Sequence, residues 1–333
     1  MKTNWKVSLV AIIATVMSMG ATAAEKSFSI GGDAEYDITH RKQTSSANVT
    51  TKNFSETGRV KLNAKARIDH ENGAFVEAVA QPLFSYTDGK SPGSDDMYIK
   101  FGKKAWDLQL GRFEGFDLFP LGKDTVANAA AEIDSNVFGY KANNARGRGP
   151  DGIVHGAFHS TMGKFQTETR MGFGENATTK TTHTRPAVKF DAGRFRFAVG
   201  YDLVQVKTKA NGANTTTKGF GITAGTKIGA FDANINAASG KSNATGADKI
   251  SSIGLNATRG RFGAGYIHDK NYTTALNTTG KGKQDTFYAA YSVPLMGSKD
   301  ATVTFAASTS KAKYDAGGTA KDTSARVRFN YGF

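Results

Sequence analysis

The sequence predicts an all-β fold: a transmembrane antiparallel β-barrel of about 16 strands, with a long third loop folded into the lumen. Three observations carry this prediction. Apolar and polar residues alternate with a period of two along most of the chain, short turns alternate with longer polar links, and an export leader opens the sequence.

The leader comes first. Lys2 and Lys6 make a basic start, Val7 to Met19 a short apolar stretch, and Ala21-Thr22-Ala23 a cleavage site. The apolar stretch is well short of the roughly 20 residues a spanning helix needs. Residues 1–23 therefore read as a signal peptide that is removed, and 24–333 as a single barrel domain. The chain has no cysteine, which excludes disulfide frameworks and thiolate metal sites. No cofactor or metal is indicated. Hydrophobic residues make up 39% and charged residues 22%, too polar for a helical membrane protein. A barrel strand, however, needs only one apolar face. The formal charge of +14 drops by two with the leader, to +12. Such an excess suits nucleic acid or an anion-attracting surface, and export argues against nucleic acid.

Each strand then follows from its parity. In the first, Phe28, Ile30, Ala34, Tyr36 and Ile38 alternate with Ser27, Ser29, Asp33, Glu35 and Asp37. In the second, Val60, Leu62, Ala64, Ala66 and Ile68 oppose Arg59, Lys61, Asn63, Lys65 and Arg67. A one-residue slip would put those cations in lipid, so the register is strongly set. The pattern recurs at 194–203, 231–237, 287–295 and 325–333. Short turns are expected at 71–73, 103–105, 162–164, 192–193, 229, 259–260 and 296–299. Longer polar links are expected at 41–53, 87–95, 175–184, 207–216, 239–248, 271–284 and 310–321. A soluble β-sandwich also alternates, but its buried faces carry bulky residues; here many apolar-face positions are Ala or Gly.

Gly-X-Phe recurs at 163–165, 193–195, 229–231 and 260–262. Each glycine suits a tight turn, and each phenylalanine would enter the outward face at one depth, with Trp106, as an aromatic girdle. Gly73-Ala74-Phe75 has the same form, but its parity places Phe75 inside.

One connection breaks the rhythm. Residues 114–149 contain Phe116, Phe119, Pro120 and Leu121, an Ala-rich piece at 126–131, and the acids Glu132 and Asp134. An exposed loop has no need of so many apolar residues; a loop folded into the lumen and packed on the wall does.

Here the residues resemble a known family. Met97-Tyr98-Ile99-Lys100-Phe101-Gly102 and Leu108-Gln109-Leu110-Gly111-Arg112-Phe113-Glu114-Gly115 are similar to the strand pair and Gly-Arg-x-x-Gly element of the enterobacterial-type general diffusion porins of Gram-negative outer membranes, to which carbohydrate porins are related. Residues 143–149 and 153–156 look like the exit from that family's pore loop, and Phe333 matches its C-terminal aromatic signal. The family's Pro-Glu-Phe-Gly-Gly-Asp loop tip is missing; 136–141 stand in its place. The resemblance implies a homotrimer and a constriction in which loop acids face wall cations. The matching cations are Arg59, Lys61, Arg67 and Arg112; the matching acids are Asp117, Asp124, Glu132 and Asp134. Strict alternation aims Arg112 at lipid, so a bulge or strand end has to re-aim it.

The residues themselves add a sign. Arg59, Lys61, Lys65, Arg67, Arg170, Lys189, Arg194, Arg196, Arg261, Arg326 and Arg328 share lumen parity, and few acids are expected to oppose them. A passive channel for small hydrophilic solutes and ions that prefers anions is the expectation. Cations at the rims would instead pair with lipopolysaccharide. The alternative is an oligosaccharide-specific channel, with Phe113, Phe116, Phe119, Tyr140 and Tyr288 as a sugar track. An enzyme is not expected. His155 and His159 lie about 13 Å apart at strand rise, too far for one zinc, and Ser160 points away from His159.

Overall fold

Once one face of every strand is apolar, the sheet can shed all its edges only by closing on itself. The computed structural model describes residues 24–86, 93–123, 154–243, 249–272, 281–315 and 317–333. They form a closed antiparallel barrel of 16 strands, each paired with the next in sequence, with the last paired to the first. The strands are β1 (Ala24–Thr44), β2 (Thr50–His70), β3 (Ala74–Ser85), β4 (Gly93–Lys103), β5 (Trp106–Arg112), β6 (Val154–Met162), β7 (Phe165–Glu175) and β8 (Thr179–Asp191). They continue as β9 (Phe195–Thr208), β10 (Asn214–Ile228), β11 (Phe231–Ser242), β12 (Lys249–Arg259), β13 (Phe262–Tyr272), β14 (Lys281–Pro294), β15 (Ala301–Tyr314) and β16 (Thr319–Gly332).

Parity decides the faces as expected. On β9, Phe197, Val199 and Tyr201 are exposed outward, whereas Ala198 and Asp202 are buried. The outward band of exposed aromatic and branched residues is a lipid-facing surface; in water so much open apolar area would drive aggregation. The girdle is present as well. Gly163, Gly193, Gly229 and Gly260 take φ of +54° to +76° in their turns. The phenylalanines two residues on, Phe165, Phe195, Phe231 and Phe262, stand 45–49% exposed at the starts of β7, β9, β11 and β13. Phe75 is buried inside, with the Arg67 guanidinium 4.0 Å above its ring. At the seam, Gly32 N–H donates to the Phe333 carbonyl at 2.8 Å and Phe333 N–H donates to the Gly32 carbonyl at 3.0 Å. The terminal residue thus completes the ladder between β16 and β1.

The long polar links are shorter than the sequence suggests. Strand pairing runs through most of 41–53, 175–184, 207–216 and the described part of 310–321, leaving turns at 45–49, 176–178 and 209–213. Beyond the apolar band neither face has to be apolar, so alternation disappears there while the backbone ladder continues. Thr-rich stretches such as 214–217 are well suited to that.

Candidate channel lining

The lining begins where β5 ends. Gly111 has φ of +126°, outside the range of ordinary strand residues, and this interrupts the alternation before Arg112. Arg112 is half-buried, and its Nε donates to the Asp95 carbonyl at 2.9 Å. Phe113 is 1% exposed and meets Tyr98 edge-on, with ring centroids 6.3 Å apart.

Residues 113–123 then cross the inner face of the wall. Arg185 on β8 donates through Nη2 to the Phe116 carbonyl at 2.6 Å and through Nη1 to Glu168 on β7 at 2.8 Å. Glu168 in turn accepts from Phe116 N–H at 3.3 Å. Gly115 lies against this ion pair: a Cβ there would stand 2.7 Å from both Arg185 Nη1 and Glu168 Oε1, so no side chain fits. Asn236 on β11 and Asn256 on β12 both donate to the Pro120 carbonyl, at 2.7 and 2.6 Å. Tyr288 on β14 donates to the Leu121 carbonyl at 3.0 Å. Leu118 and Phe119 are buried in a cluster with Ile267 and Tyr288. Every one of these wall side chains sits on the parity opposite to the lipid-facing band. The described part of the long connection therefore lies inside the barrel, and 124–153 lie outside the described residues.

The wall beneath is a largely buried polar network. His159 bonds Asp107 at 2.6 Å and Glu168 at 3.4 Å. His183 bonds Asp202 at 2.6 Å, and an Arg170 nitrogen lies 3.1 Å from His155 Nδ1. The Asp107–His159 pair supplies two members of a hydrolase triad, but the neighbouring Ser160 hydroxyl bonds Thr167 at 2.8 Å on the other face. The tools for anchoring were legible one by one, as polar-parity residues; that Glu168, Arg185, Asn236 and Asn256 converge on one segment was not, because convergence depends on barrel closure.

The opposite wall carries an open ladder of charge. Arg59 lies 3.2 Å from Asp33 and 3.4 Å from Glu35; Lys61 lies 3.5 Å from Asp33 and 3.3 Å from Asp95. Arg328 reaches Glu35 at 3.1 Å and Asp37 at 2.7 Å, and Arg326 reaches Asp37 at 3.3 Å. Arg67 pairs with Asp69 at 2.7 Å and Glu77 at 3.2 Å; Lys65 and Lys100 also reach Glu77. The expectation that few acids oppose these cations is corrected. Asp33, Glu35 and Asp37 were on the right face of their strand, but only the pairing of β1 with both β2 and β16 puts them between two rows of cations.

The eight residues expected at a constriction separate. Lys61 and Arg112 both reach Asp95, and Arg59 shares Asp33 with Lys61. Arg67 lies six residues further along β2, roughly 20 Å away at strand rise. Asp117 is on the other wall, its carboxylate capping Phe119 N–H at 2.9 Å. Asp124, Glu132 and Asp134 lie outside the described residues. Asp117 lines a cavity of about 670 Å³ with Lys123, Lys164, Lys189, Asn234 and the paired Arg196 and Asp232. Lys189 also stands 4.0 Å over the Phe116 ring. Partial burial lowers the pKa of the Lys123 ammonium from its ordinary value. The proposed sugar track changes character: Phe113, Phe119 and Tyr288 are buried and hold the inner segment, and Tyr140 lies outside the described residues.

With this geometry in place, comparison with known proteins defines the class. The family model described as porin-like glycoporin RafY matches residues 21–333. The chain belongs to that family: it is an outer-membrane porin, a water-filled barrel through which small hydrophilic solutes diffuse passively. No curated protein matches it in sequence. Solved structures share the fold. The anion-selective porin from Comamonas acidovorans superposes with a TM-score of 0.67 at 15% identity, over 93% of this chain and 100% of that one. OmpT of Vibrio cholerae, in a trimer form, gives 0.63 at 12% identity, over 93% and 100%. A triple mutant of the Rhodopseudomonas blastica porin gives 0.57 at 10% identity, over 92% and 100%.

Proposed function

We propose that this porin prefers anions, and that the preference arises from lysines lining the cavity under the inner segment. The ladder of β1, β2 and β16 is largely self-neutralised by its carboxylates. Lys123, Lys164 and Lys189 form no ion pair among the described residues, so their charge is available to a passing solute. Cations in a confined, low-dielectric bore concentrate anions and repel cations. The anion-selective Comamonas porin of the same fold supports the reading. Residues 24–333 act as one barrel domain that assembles as a homotrimer. The connection 114–149 narrows the bore, its acids Asp124, Glu132 and Asp134 facing the wall cations Arg59, Lys61 and Arg112. The wall holds and orients solutes and carries out no catalytic step.

Replacing Lys164 and Lys189 with Gln tests this directly. The chloride-to-potassium permeability ratio of the double variant falls toward or below one, with single-channel conductance retained. An unchanged ratio overturns the assignment. The family's glycoporin description favours a second reading, an oligosaccharide channel, and the cavity offers Gln166, Thr223, Asn234 and Thr258 as hydroxyl partners. Concentration-dependent block by added oligosaccharide is the outcome that selects it.

A further inference from the structure

Three acids and four cations line the cavity beneath the inner segment, and they are engaged unequally. Arg196 is occupied within the wall: its Nη1 donates to Asp232 at 2.7 Å and its Nη2 to Asn234 Oδ1 at 3.4 Å. Gly225 makes room for this arrangement, since a Cβ there would stand 2.9 Å from Arg196 Nη2 and 2.5 Å from Asn234 Oδ1. The Asp191 carboxylate accepts from Gly193 N–H at 2.7 Å and stands opposite Arg196 in register. The Asp117 carboxylate accepts from Phe119 N–H at 2.9 Å. Lys123, Lys164 and Lys189 remain, with no ion pair among the described residues.

Two of these lysines meet on neighbouring strands. Lys189 on β8 lies opposite Gln166 on β7, and Lys164 lies two residues before Gln166. The ladder continues as far as Lys164, whose carbonyl accepts from Asp191 N–H at 3.1 Å. Lys164 and Lys189 are therefore diagonal neighbours, about 7 Å apart, within reach of long side chains. Two unpaired ammonium groups at that spacing repel each other, and an anion held between them relieves the repulsion. The type of cation narrows the choice of anion. Arginine matches a planar carboxylate with its fork, and the arginine here is already engaged; lysine acts on phosphate as a point charge. Two lysines also match a phosphomonoester, which carries a charge of about −1.5 to −2 near neutral pH.

Beyond the lysine pair the lining is low and polar. Ala198 on β9 stands opposite Lys189, and Thr223 on β10 stands opposite Ala198. Thr223 is thus two strand spacings from Lys189, about 10 Å, a span that a sugar ring with a phosphate at one end can bridge. Asn234 on β11 follows, opposite Gly225, and adds an amide to the Thr223 hydroxyl. Pro120, Gly122 and Lys123 of the inner segment close the cavity from the other side. Its volume of about 670 Å³ is that of a small-ligand site. We infer that the cavity binds sugar phosphates, with the phosphate between Lys164 and Lys189 and the ring beyond Ala198, its hydroxyls on Thr223 and Asn234. This assignment deepens the anion reading and rests on it.

The test adds glucose 6-phosphate, glucose, glucuronate or inorganic phosphate to single wild-type channels conducting in KCl across a planar bilayer. Glucose 6-phosphate interrupts the current at millimolar concentration, and each of the other three needs at least tenfold more. Lys164→Gln with Lys189→Gln raises the blocking concentration of glucose 6-phosphate at least tenfold in a channel that still conducts. Lys218→Gln with Lys241→Gln, an exposed pair on the outward face, leaves it unchanged. Any of three results overturns the inference: equal block by glucose or by inorganic phosphate, equal block by glucuronate, or a Lys164 and Lys189 double variant blocked as readily as wild type. The zero-current potential of the same channels separates this inference from the reading beneath it. A chloride-preferring channel that glucose 6-phosphate never blocks sinks only the sugar-phosphate site.

Discussion

Arg59 and Arg185 are both lumen-facing arginines beside carboxylates, and their surroundings set them apart. The Arg59 side chain is 32% exposed between Asp33 and Glu35; the Arg185 side chain is 0% exposed between Glu168 and the Phe116 carbonyl. The first stands on the wall of β1, β2 and β16, where water and solutes reach the charges. The second stands on the wall of β6–β8, beneath residues 113–123. Charge at the open wall acts on what passes through the pore. The buried Arg185–Glu168 pair of the covered wall instead holds the inner segment in place, because desolvation makes its partners obligatory.

Cutting the covered wall should have the largest effect. Arg185→Leu leaves Glu168 buried without its arginine and is expected to destabilise the barrel by about 3–5 kcal/mol, seen as a lower unfolding midpoint in detergent and as noisy, fluctuating conductance. Adding Glu168→Leu should recover much of that loss, since a shape-matched apolar pair is often neutral. Leu118→Ala, in the packed cluster under the segment, is expected to cost about 2–5 kcal/mol. Removing both donors to Pro120, Asn236→Ala with Asn256→Ala, should cost about 1–3 kcal/mol for the stranded carbonyl. At the open wall the comparison predicts the reverse balance. Arg59→Gln should change stability by less than about 1 kcal/mol, while shifting the zero-current potential in a salt gradient toward potassium. If Arg59→Gln unfolded the barrel as readily as Arg185→Leu, the distinction between the walls would collapse.

Much of the barrel was legible in period-two alternation, because a lipid-facing row tolerates so few polar residues. The Gly-X-Phe repeat gave the turns and girdle, and the parity of Val76 and Glu77 correctly turned Phe75 inward. What escaped was set by distant pairing. Asp37 neutralises Arg326 and Arg328 only because β16 returns to β1, a contact spanning nearly the whole chain. Gln109, Glu168, Arg185 and Asn256 show as polar-parity residues in one strand at a time, whereas their buried state depends on what covers them. The aromatic residues near the long connection suit, in the sequence, the alternative of a sugar track; the fold gives Phe113, Phe119 and Tyr288 packing and anchoring contacts that only barrel closure creates.

Whether the cation excess of this lumen selects anions is read from the zero-current potential of the wild-type channel across a KCl gradient. The expected potential has the sign set by chloride moving faster than potassium, and it shifts toward zero when Lys164 and Lys189 become Gln. A potential of the opposite sign in the wild type would contradict it.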